Sequence, residues 1–333
     1  AGGANPPGAV LLTYNTFDDG NPIHPLTFKP EFVDAFELGS KNTLLDGGLT
    51  INADVFYYNY ENYQISRIVD RTSINDNFDA HIKGAELEAM WEPVPGLRFN
   101  FGGGYEDARV AKGSKSVDLM DRTAGHSDWA VVRPFPGQAS NCILPVYVIL
   151  TPGGANCGPA YFKHQDPVTQ LPYVPNPTIG ADQGGLQFPL DLPGYIGFDP
   201  YTAPNNGQGF DKSLGGNELP NAPPLTVSAG GQYSIPLTTN WAGTLRGDYY
   251  WQDYSWARVF NDNPSDRLRG YTNLNITLIL PSHRGWPVML YAKNVFNTTA
   301  ITGTFLNSDD SDLTTNVFLT DPKLIGVRVT KNW

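Results

Sequence analysis

The stretch LTINADVFYYNY, residues 49–60, decides the fold, because apolar and polar residues alternate along it. Successive side chains of a β-strand point to opposite faces, so this alternation gives one apolar face and one polar face. The apolar face would carry Leu49, Ile51, Ala53, Val55 and Tyr57. The stretch therefore predicts a half-buried or membrane-facing strand.

The same alternation recurs along the chain and predicts nine strands. Residues 45–48, 93–96 and 282–285 have tight-turn compositions, whereas the other predicted connections are longer, the longest being the Pro-rich stretch 112–220. Short turns alternating with long loops are typical of outer-membrane barrels. The nine strands are predicted at 31–45, 48–65, 78–92, 97–111, 222–236, 241–260, 267–281, 286–297 and 321–333.

Composition excludes several classes of protein. The formal net charge of −11 disfavours binding to nucleic acid, which depends on clustered Lys and Arg. No run of 18 apolar residues could span a bilayer as a helix. Alternation alone does not separate a soluble β-sandwich from a membrane barrel, but several predicted strands reach the roughly 9–11 residues that a tilted membrane strand needs. Aromatic residues near strand ends, as in 57–63 and 249–256, also fit the interfacial girdles of such barrels.

The sequence offers no sign of catalysis or of a cofactor. It contains no G-x-S-x-G, H-E-x-x-H, P-loop or dinucleotide-binding motif, and no two of its five histidines have the spacing of helical metal ligands. The two cysteines, Cys142 and Cys157, lack C-x-x-C spacing, and a disulfide between them is the simplest pairing, which indicates an oxidising compartment. We therefore expect a non-enzyme without a cofactor.

Several short motifs resemble those of TonB-dependent outer-membrane receptors, and they occur in the family's order. The phrases are LTFKPE (26–31) with FELGSK (36–41), ADVFYY (53–58) with NYQI (62–65), KGAELE (83–88), LPNAP (219–223), KNVFN (293–297) and PKLIGV (322–327). Together they cover residues 26–111 and 219–333. Each motif residue also has a purely structural explanation, in turns or in the polarity of a barrel lumen.

The resemblance implies an all-β fold, a transmembrane antiparallel β-barrel. The chain would supply about nine C-terminal strands of a presumed 22-stranded barrel with a plugged lumen. It divides into an extracellular loop remnant (1–30), four barrel strands (31–111), a long extracellular loop insertion (112–220) and five C-terminal strands (221–333) that end at the closing strand. An open sheet in lipid would leave unpaired edges, so we expect a missing N-terminal barrel half and a plug domain to complete it.

The implied function is TonB-dependent uptake of a scarce solute, such as a siderophore, vitamin or saccharide, at the cell outer membrane of a Gram-negative bacterium. The implied partners are the TonB complex, reached through the missing part, outer-membrane lipid and lipopolysaccharide, and the barrel-assembly machinery. A surface lipoprotein or another cell-surface protein is a further candidate partner, because residues 143–150 are too apolar to remain solvated. The alternatives are a passive porin or autotransporter-type barrel and a secreted all-β binding module.

Three groups of candidate site residues follow from these expectations. Aromatic and amide residues of the extracellular loops are candidates for ligand binding: Trp129, Tyr147, Tyr161, Tyr195, Phe198 and Asn205. Val327, Val329 and the terminal Trp333 resemble the family's C-terminal assembly signal, from which Lys331 departs. Asp309, Asp310 and Asp312 form either a solvated acidic tip or a weak Ca²⁺ site, because three carboxylates supply only part of the six to eight oxygens that Ca²⁺ takes.

Overall fold

A computed structural model describes eleven parts of the chain. They are residues 2–4, 17–18, 21–22, 27–69, 72–132, 141–150, 203–205, 207–238, 241–281, 286–307 and 312–331. Among these residues, no helix is long and apolar enough to cross a membrane. The helices described are single turns, at Leu45–Gly47, Val146–Ile149 and Pro264–Asp266.

The dominant feature is one antiparallel sheet of nine strands. Each strand pairs with its neighbour in this set, so the spatial order follows the chain order. The predicted all-β fold with about nine antiparallel strands is therefore confirmed. The strands are β1 (Phe32–Leu44), β2 (Leu49–Val69), β3 (Thr72–Val94), β4 (Leu97–Val110), β5 (Leu225–Thr238), β6 (Trp241–Gln252), β7 (Tyr271–Leu280), β8 (Val288–Lys293) and β9 (Leu324–Val329).

The register of the sheet gathers apolar side chains on one face and polar side chains on the other. Directly paired residues share a face, so a row of partners across the strands shows the chemistry of that face. An apolar row runs through Leu38, Val55, Ala85, Tyr105 and Leu225. A polar row runs through Lys41, Asn52, Glu88, Gly102, Ser228, Tyr250 and Asn273. The alternation read from residues 49–60 is thus maintained across the sheet, as expected for a barrel with lipid outside and water inside.

Connections of two kinds lie at opposite ends of the strands. The links from β1 to β2, from β3 to β4, from β5 to β6 and from β7 to β8 are short, and we call this the short-turn end. At the opposite end, the long-loop end, the chain forms the insertion between β4 and β5, the β6–β7 connection and the β8–β9 connection. These connections carry small two-stranded ribbons of their own.

In the part of the chain that the structure describes, six ribbons lie outside the main sheet. Gly3–Ala4 pairs with Thr27–Phe28, and Phe17–Asp18 pairs with Asn21–Pro22. In the insertion, Lys115–Val117 pairs with Asp211–Ser213, and Trp129–Val132 pairs with Cys142–Pro145. Ser255–Trp256 pairs with Arg267–Leu268 in the β6–β7 connection, and Ile301–Leu306 pairs with Thr315–Leu319 in the β8–β9 connection.

The hairpin of β2 and β3 is longer than the sequence predicted. The prediction ended the second strand at residue 65 and began the third at 78, whereas the ladder continues to a Val69–Thr72 pair. The pairing shifts between Tyr60 and Tyr63, and Asn62 at this bulge has a left-handed φ of 59°. A bulge reverses which residues of a strand face each side. Simple alternation is lost there, which is why the strands predicted from alternation were shorter than the observed ones.

The sixth strand is shorter than predicted. It ends at Gln252, although alternation was extended to residue 260. The chain leaves the sheet at Asp253 because residues 255–268 form a ribbon and a helical turn of their own. Arg258 is thereby held in a buried ionic network rather than on a barrel face.

At the long-loop end the polar face of the sheet becomes apolar and is covered by loops. Phe78 and Ala80 of β3, with Ala108 and Val110 of β4, lie on the same strand face as Glu86 and Glu106. Leu214 and Leu219 of the insertion and Val259 of the β6–β7 connection bury them. Apolar burial stabilises by about 25 cal/mol per Å² removed from water, which explains why these loops fold back over the sheet.

Candidate functional site

The structure places the predicted ligand residues that it describes at separate points of the insertion. Trp129 packs edge-on against Phe210, with ring centroids 5.5 Å apart. Tyr147 is 59% exposed on its helical turn, and Asn205 lines a cavity near the β2–β3 hairpin. Of these three residues, Asn205 is the one that lines this cavity, and a shared ligand site stays a prediction. Tyr161, Tyr195 and Phe198 lie outside the described residues.

The remaining predicted sites are only partly within the described chain. Val327 and Val329 project from β9 on the apolar face, in rows with Leu290 and Val288, while Trp333 lies outside the described residues. Asp312 is described, Asp309 and Asp310 are not, and the described part of the chain contains no cluster of three metal-ligating side chains. The acidic tip therefore stays an untested prediction.

Cys142 is buried at the start of its ribbon strand. The described part of the chain contains no free cysteine. Because Cys157 lies outside that part, the Cys142–Cys157 disulfide stays a prediction.

A buried ionic network joins the insertion to the β6–β7 connection. Arg258 Nη1 donates to Asp118 Oδ1 at 2.6 Å, and its Nη2 donates to Asp266 Oδ2 at 2.6 Å. The Asp118 side chain is 2% exposed and that of Arg258 is 14% exposed. Charges removed from water to this degree are stable only when they are paired and hydrogen-bonded, as these are.

Lys212 extends the same network. Its ammonium lies 2.5 Å from Asp262 Oδ2, 2.7 Å from Asp121 Oδ2 and 3.4 Å from Asp118 Oδ2. Burial opposes the charge on Lys212, but hydrogen bonds to Asp121 and Asp262 and the charge of Asp118 outweigh it and raise the pKa of the ammonium above its usual range. Lys212 therefore stays protonated and holds three carboxylates together.

A second polar junction anchors the end of the insertion to β4. Glu218 Oε1 accepts hydrogen bonds from Arg109 Nη2 at 3.2 Å and from Tyr254 Oη at 3.1 Å, while its backbone N–H donates to Asn261 Oδ1 at 2.5 Å. Burial, followed by the Glu218 carboxylate, raises the pKa of the Tyr254 phenol. The phenol therefore remains a donor at neutral pH, which suits its hydrogen bond to Glu218.

Arg122 orders the centre of the insertion. Its side chain is among the largest that are fully buried, with 1% exposure, and its Nη1 donates to the carbonyl oxygens of Asn141 at 3.2 Å and Gln208 at 3.0 Å. A buried guanidinium bonded to backbone carbonyls ties two distant chain segments together. The described parts of the insertion thus form a defined tertiary structure at the long-loop end.

A cavity of about 430 Å³ lies between the insertion and the β2–β3 hairpin. Its volume is within the range of small-molecule sites, roughly 300–1,000 Å³. Three chain segments form the wall: residues 27–29, the hairpin from 62 to 78, and the insertion. The lining residues are Thr27, Lys29, Asn62, Arg67, Asn75, Asp76, Asn77, Phe78, Lys115, Ser116, Val117, Asn205, Gln208 and Asp211.

Hydrogen bonds fix the wall of the cavity in place. Asn77 Nδ2 donates to the Asn62 carbonyl at 2.8 Å, and Asn77 Oδ1 accepts from the Lys29 N–H at 2.8 Å. On the insertion side, Asn205 Nδ2 donates to Asp211 Oδ1 at 3.0 Å and to the Gly209 carbonyl at 2.8 Å. The cavity is therefore pre-formed from two sides of the long-loop end.

Sequence reasoning missed most of this site. Of the predicted ligand residues that the structure describes, only Asn205 is in the lining, whereas the hairpin residues were assigned to barrel strands or to a loop. The signal that could have found them is the series of amides at Asn62, Asn75 and Asn77, which is unusual for strands because Asn is depleted there.

The fold indicates the class of protein. A sheet of nine antiparallel strands, most of them ten residues or longer, that is apolar on one face and polar on the other and has short turns at one end and folded loops at the other, is typical of outer-membrane β-barrels. Residues 2–132 match the family model described as TonB dependent receptor-like, beta-barrel. This match to part of the chain confirms the resemblance to TonB-dependent receptors that was read from the motifs.

Solved structures agree at the level of the fold. The ferric yersiniabactin uptake receptor FyuA from Yersinia pestis is 14% identical and matches with a TM-score of 0.52 over 91% of this chain. The siderophore receptor PiuA from Acinetobacter baumannii is 14% identical and matches with a TM-score of 0.52 over 94% of this chain. The chain spans 30% of the length of each of these receptors. No curated protein matches it.

Proposed function

We propose that this chain is the barrel segment of a receptor that imports a scarce solute across the Gram-negative outer membrane with energy delivered by TonB. The observation that carries the proposal is the pre-formed cavity at the long-loop end of a membrane-barrel sheet. The match to the family model supports an outer-membrane receptor, and the two solved structures with the same fold are named a ferric yersiniabactin uptake receptor and a siderophore receptor.

The direction of transport follows from the placement of the loops. In outer-membrane barrels the long loops are extracellular and the short turns periplasmic. The cavity would therefore open toward the outside of the cell, and the ionic network around Arg258 and Lys212 would hold the insertion over the mouth of the barrel. A solute captured there would then be released inward along the polar face.

The proposal requires partners that complete the barrel and supply energy. The described sheet has unpaired edges at β1 and β9, and an open edge in lipid costs several kcal/mol for each unsatisfied backbone group. We propose that further barrel strands and a plug domain close the sheet, that TonB acts through the plug, and that lipopolysaccharide and lipid surround the apolar face.

Uptake measured in paired strains tests the proposal. Cells that produce the complete receptor should accumulate its solute only when TonB is functional. A receptor variant in which Asn62 is replaced by Gly should remain in the outer membrane but take up less solute than the unchanged receptor. Accumulation that is equal with and without TonB would instead indicate a passive porin. Recovery of the protein from the soluble fraction without detergent would instead support a secreted binding module.

A further inference from the structure

The cavity at the long-loop end has a wall whose charges are almost all neutralised within the protein. Arg67 Nε lies 2.5 Å from Asp76 Oδ2, and Lys115 Nζ lies 2.5 Å from Asp211 Oδ2. Lys29 is the remaining cation among the described lining residues, and it forms no ion pair with another described residue. The wall therefore presents one unpaired positive charge.

This arrangement is poorly suited to an anionic solute. An arginine recognises a carboxylate or phosphate best through two parallel N–H groups, but the Nε of Arg67 already donates to Asp76, which leaves its buried Nη1 as the nitrogen without a hydrogen-bond partner among the described residues. An anion entering the cavity would also approach the carboxylates of Asp76 and Asp211, and like charges repel at short range. The two carboxylates in the wall therefore oppose the capture of an anion.

Neutral hydrogen-bonding groups are abundant in the same wall. Five carboxamides line the cavity, together with the hydroxyls of Thr27 and Ser116. A carboxamide carries both donors and an acceptor, and a hydroxyl group likewise donates and accepts, so the two match in either orientation. The lining amides are Asn62, Asn75, Asn77, Asn205 and Gln208, of which Asn77 and Asn205 also hold the wall together through hydrogen bonds within the protein.

Apolar surface is confined to two buried side chains of the cavity lining. Phe78 and Val117 are buried and are the two large apolar residues of the lining. A ligand site usually combines apolar lining with a few polar groups that fix orientation. Here the polar groups dominate, which favours a solute that is itself rich in hydroxyl groups.

We propose that the cavity takes a neutral, polyhydroxylated solute of the carbohydrate class. The inference rests on the proposed function and narrows it: the receptor imports a saccharide rather than an anionic metal complex. Asn62 is a specificity-determining residue, because it lies at the bulge, lines the cavity and makes no side-chain hydrogen bond to another described residue.

A binding screen on the complete receptor, extracted from outer membranes in detergent, tests the inference. The probes are an array of neutral gluco-, manno- and xylo-oligosaccharides, an array of oligogalacturonates as their acidic counterparts, and ferric citrate followed by tryptophan fluorescence. We expect binding to at least one neutral series and weaker binding to the acidic series and to ferric citrate. Preference for oligogalacturonates or ferric citrate, or no binding to any neutral series, would overturn the inference.

Two variants and a matched control locate the binding to this cavity. Asn62→Gly keeps the left-handed backbone and removes the amide, so affinity for the neutral series should fall about tenfold, the effect of one lost hydrogen bond of about 1.4 kcal/mol. Asn221→Gly makes the same change at a left-handed residue outside the cavity and should leave affinity unchanged. Lys29→Met should also preserve neutral binding, and a large loss with this variant would show that charge drives recognition.

The outcome separates this inference from the proposed function. A receptor that supports TonB-dependent uptake of an iron complex and binds no neutral oligosaccharide would refute the saccharide assignment and leave the transport proposal standing. A receptor that binds neutral oligosaccharides in this cavity but takes them up equally without TonB would refute the transport proposal and leave the ligand class standing.

Discussion

Arg258 and Asp118 are 140 positions apart in the chain, yet the Arg258 Nη1 donates a hydrogen bond to the Asp118 carboxylate at 2.6 Å. One residue belongs to the β6–β7 connection and the other to the insertion between β4 and β5. Because both side chains are largely buried, the pair fixes the position of the insertion relative to the barrel. The shape of the cavity at the long-loop end depends on this contact indirectly, through the ribbon that carries Lys115 and Asp211.

Arg258→Met should loosen the insertion without preventing barrel assembly. The change leaves the carboxylates of Asp118 and Asp266 buried without their guanidinium partner, a loss of about 3–5 kcal/mol for a broken buried pair. Limited proteolysis of outer membranes should then cleave the insertion much faster. Arg98→Met is the control, since the Arg98–Glu92 pair is exposed and should contribute at most about 1 kcal/mol. Equal protease resistance in both variants would contradict the role assigned to Arg258.

Val55→Arg and Asn52→Arg distinguish the two faces of the sheet. Val55 lies on the apolar face in a row with Leu38 and Ala85, so an arginine there should cost about 2–4 kcal/mol near the bilayer midplane. Asn52 lies on the polar face opposite Lys41 and Glu88, where arginine should be nearly neutral. Denaturant unfolding of the complete barrel in lipid vesicles measures the loss of unfolding free energy in each variant. Equal losses would contradict the assignment of the apolar face to lipid.

Gly326→Ala should strain the contact between β8 and β9. A Cβ atom on Gly326 would overlap the ring of Tyr291, its partner across the strands, and overpacking of this kind costs about 1–3 kcal/mol. The measurement is the same vesicle unfolding assay. Gly247→Ala on β6 is the matched control, because a Cβ there meets no atom within 4 Å. The double variant Gly326→Ala with Tyr291→Ser should recover most of the loss, and failure to recover it would show that another contact is responsible.

Thiol labelling tests the predicted Cys142–Cys157 disulfide. The purified receptor is denatured and treated with an alkylating reagent without reductant, and both cysteines should remain unlabelled. After prior reduction, the same reagent should label both thiols. A short covalent ring of this size would contribute roughly 3 kcal/mol of local stabilisation in the chain-entropy model. Labelling of both thiols before reduction would rule the bond out.

The strand pattern shows how much of the fold can be predicted from local sequence. The opposite environments of Val55 and Asn52 could be predicted because a strand alternates its faces with a period of two, and that period is present in the residues themselves. The extent of β2 beyond residue 65 could not be predicted in the same way. The bulge at Asn62 exchanges the faces, so Tyr63, Ile65 and Arg67 lie on the side that the even-numbered residues occupy earlier in the strand.

The sequence by itself determined the class of fold, the nine antiparallel strands and the resemblance to the receptor family, because these follow from alternation, turn composition and short motifs within single segments. Only the tertiary structure decided where the insertion lies and which residues form the cavity. The pairing of Asp118 with Arg258, and the meeting of Asn62 with Asn205 in one wall, join segments far apart in the chain. Such contacts depend on how loops fold over an already paired sheet, and no local period or motif encodes that distance.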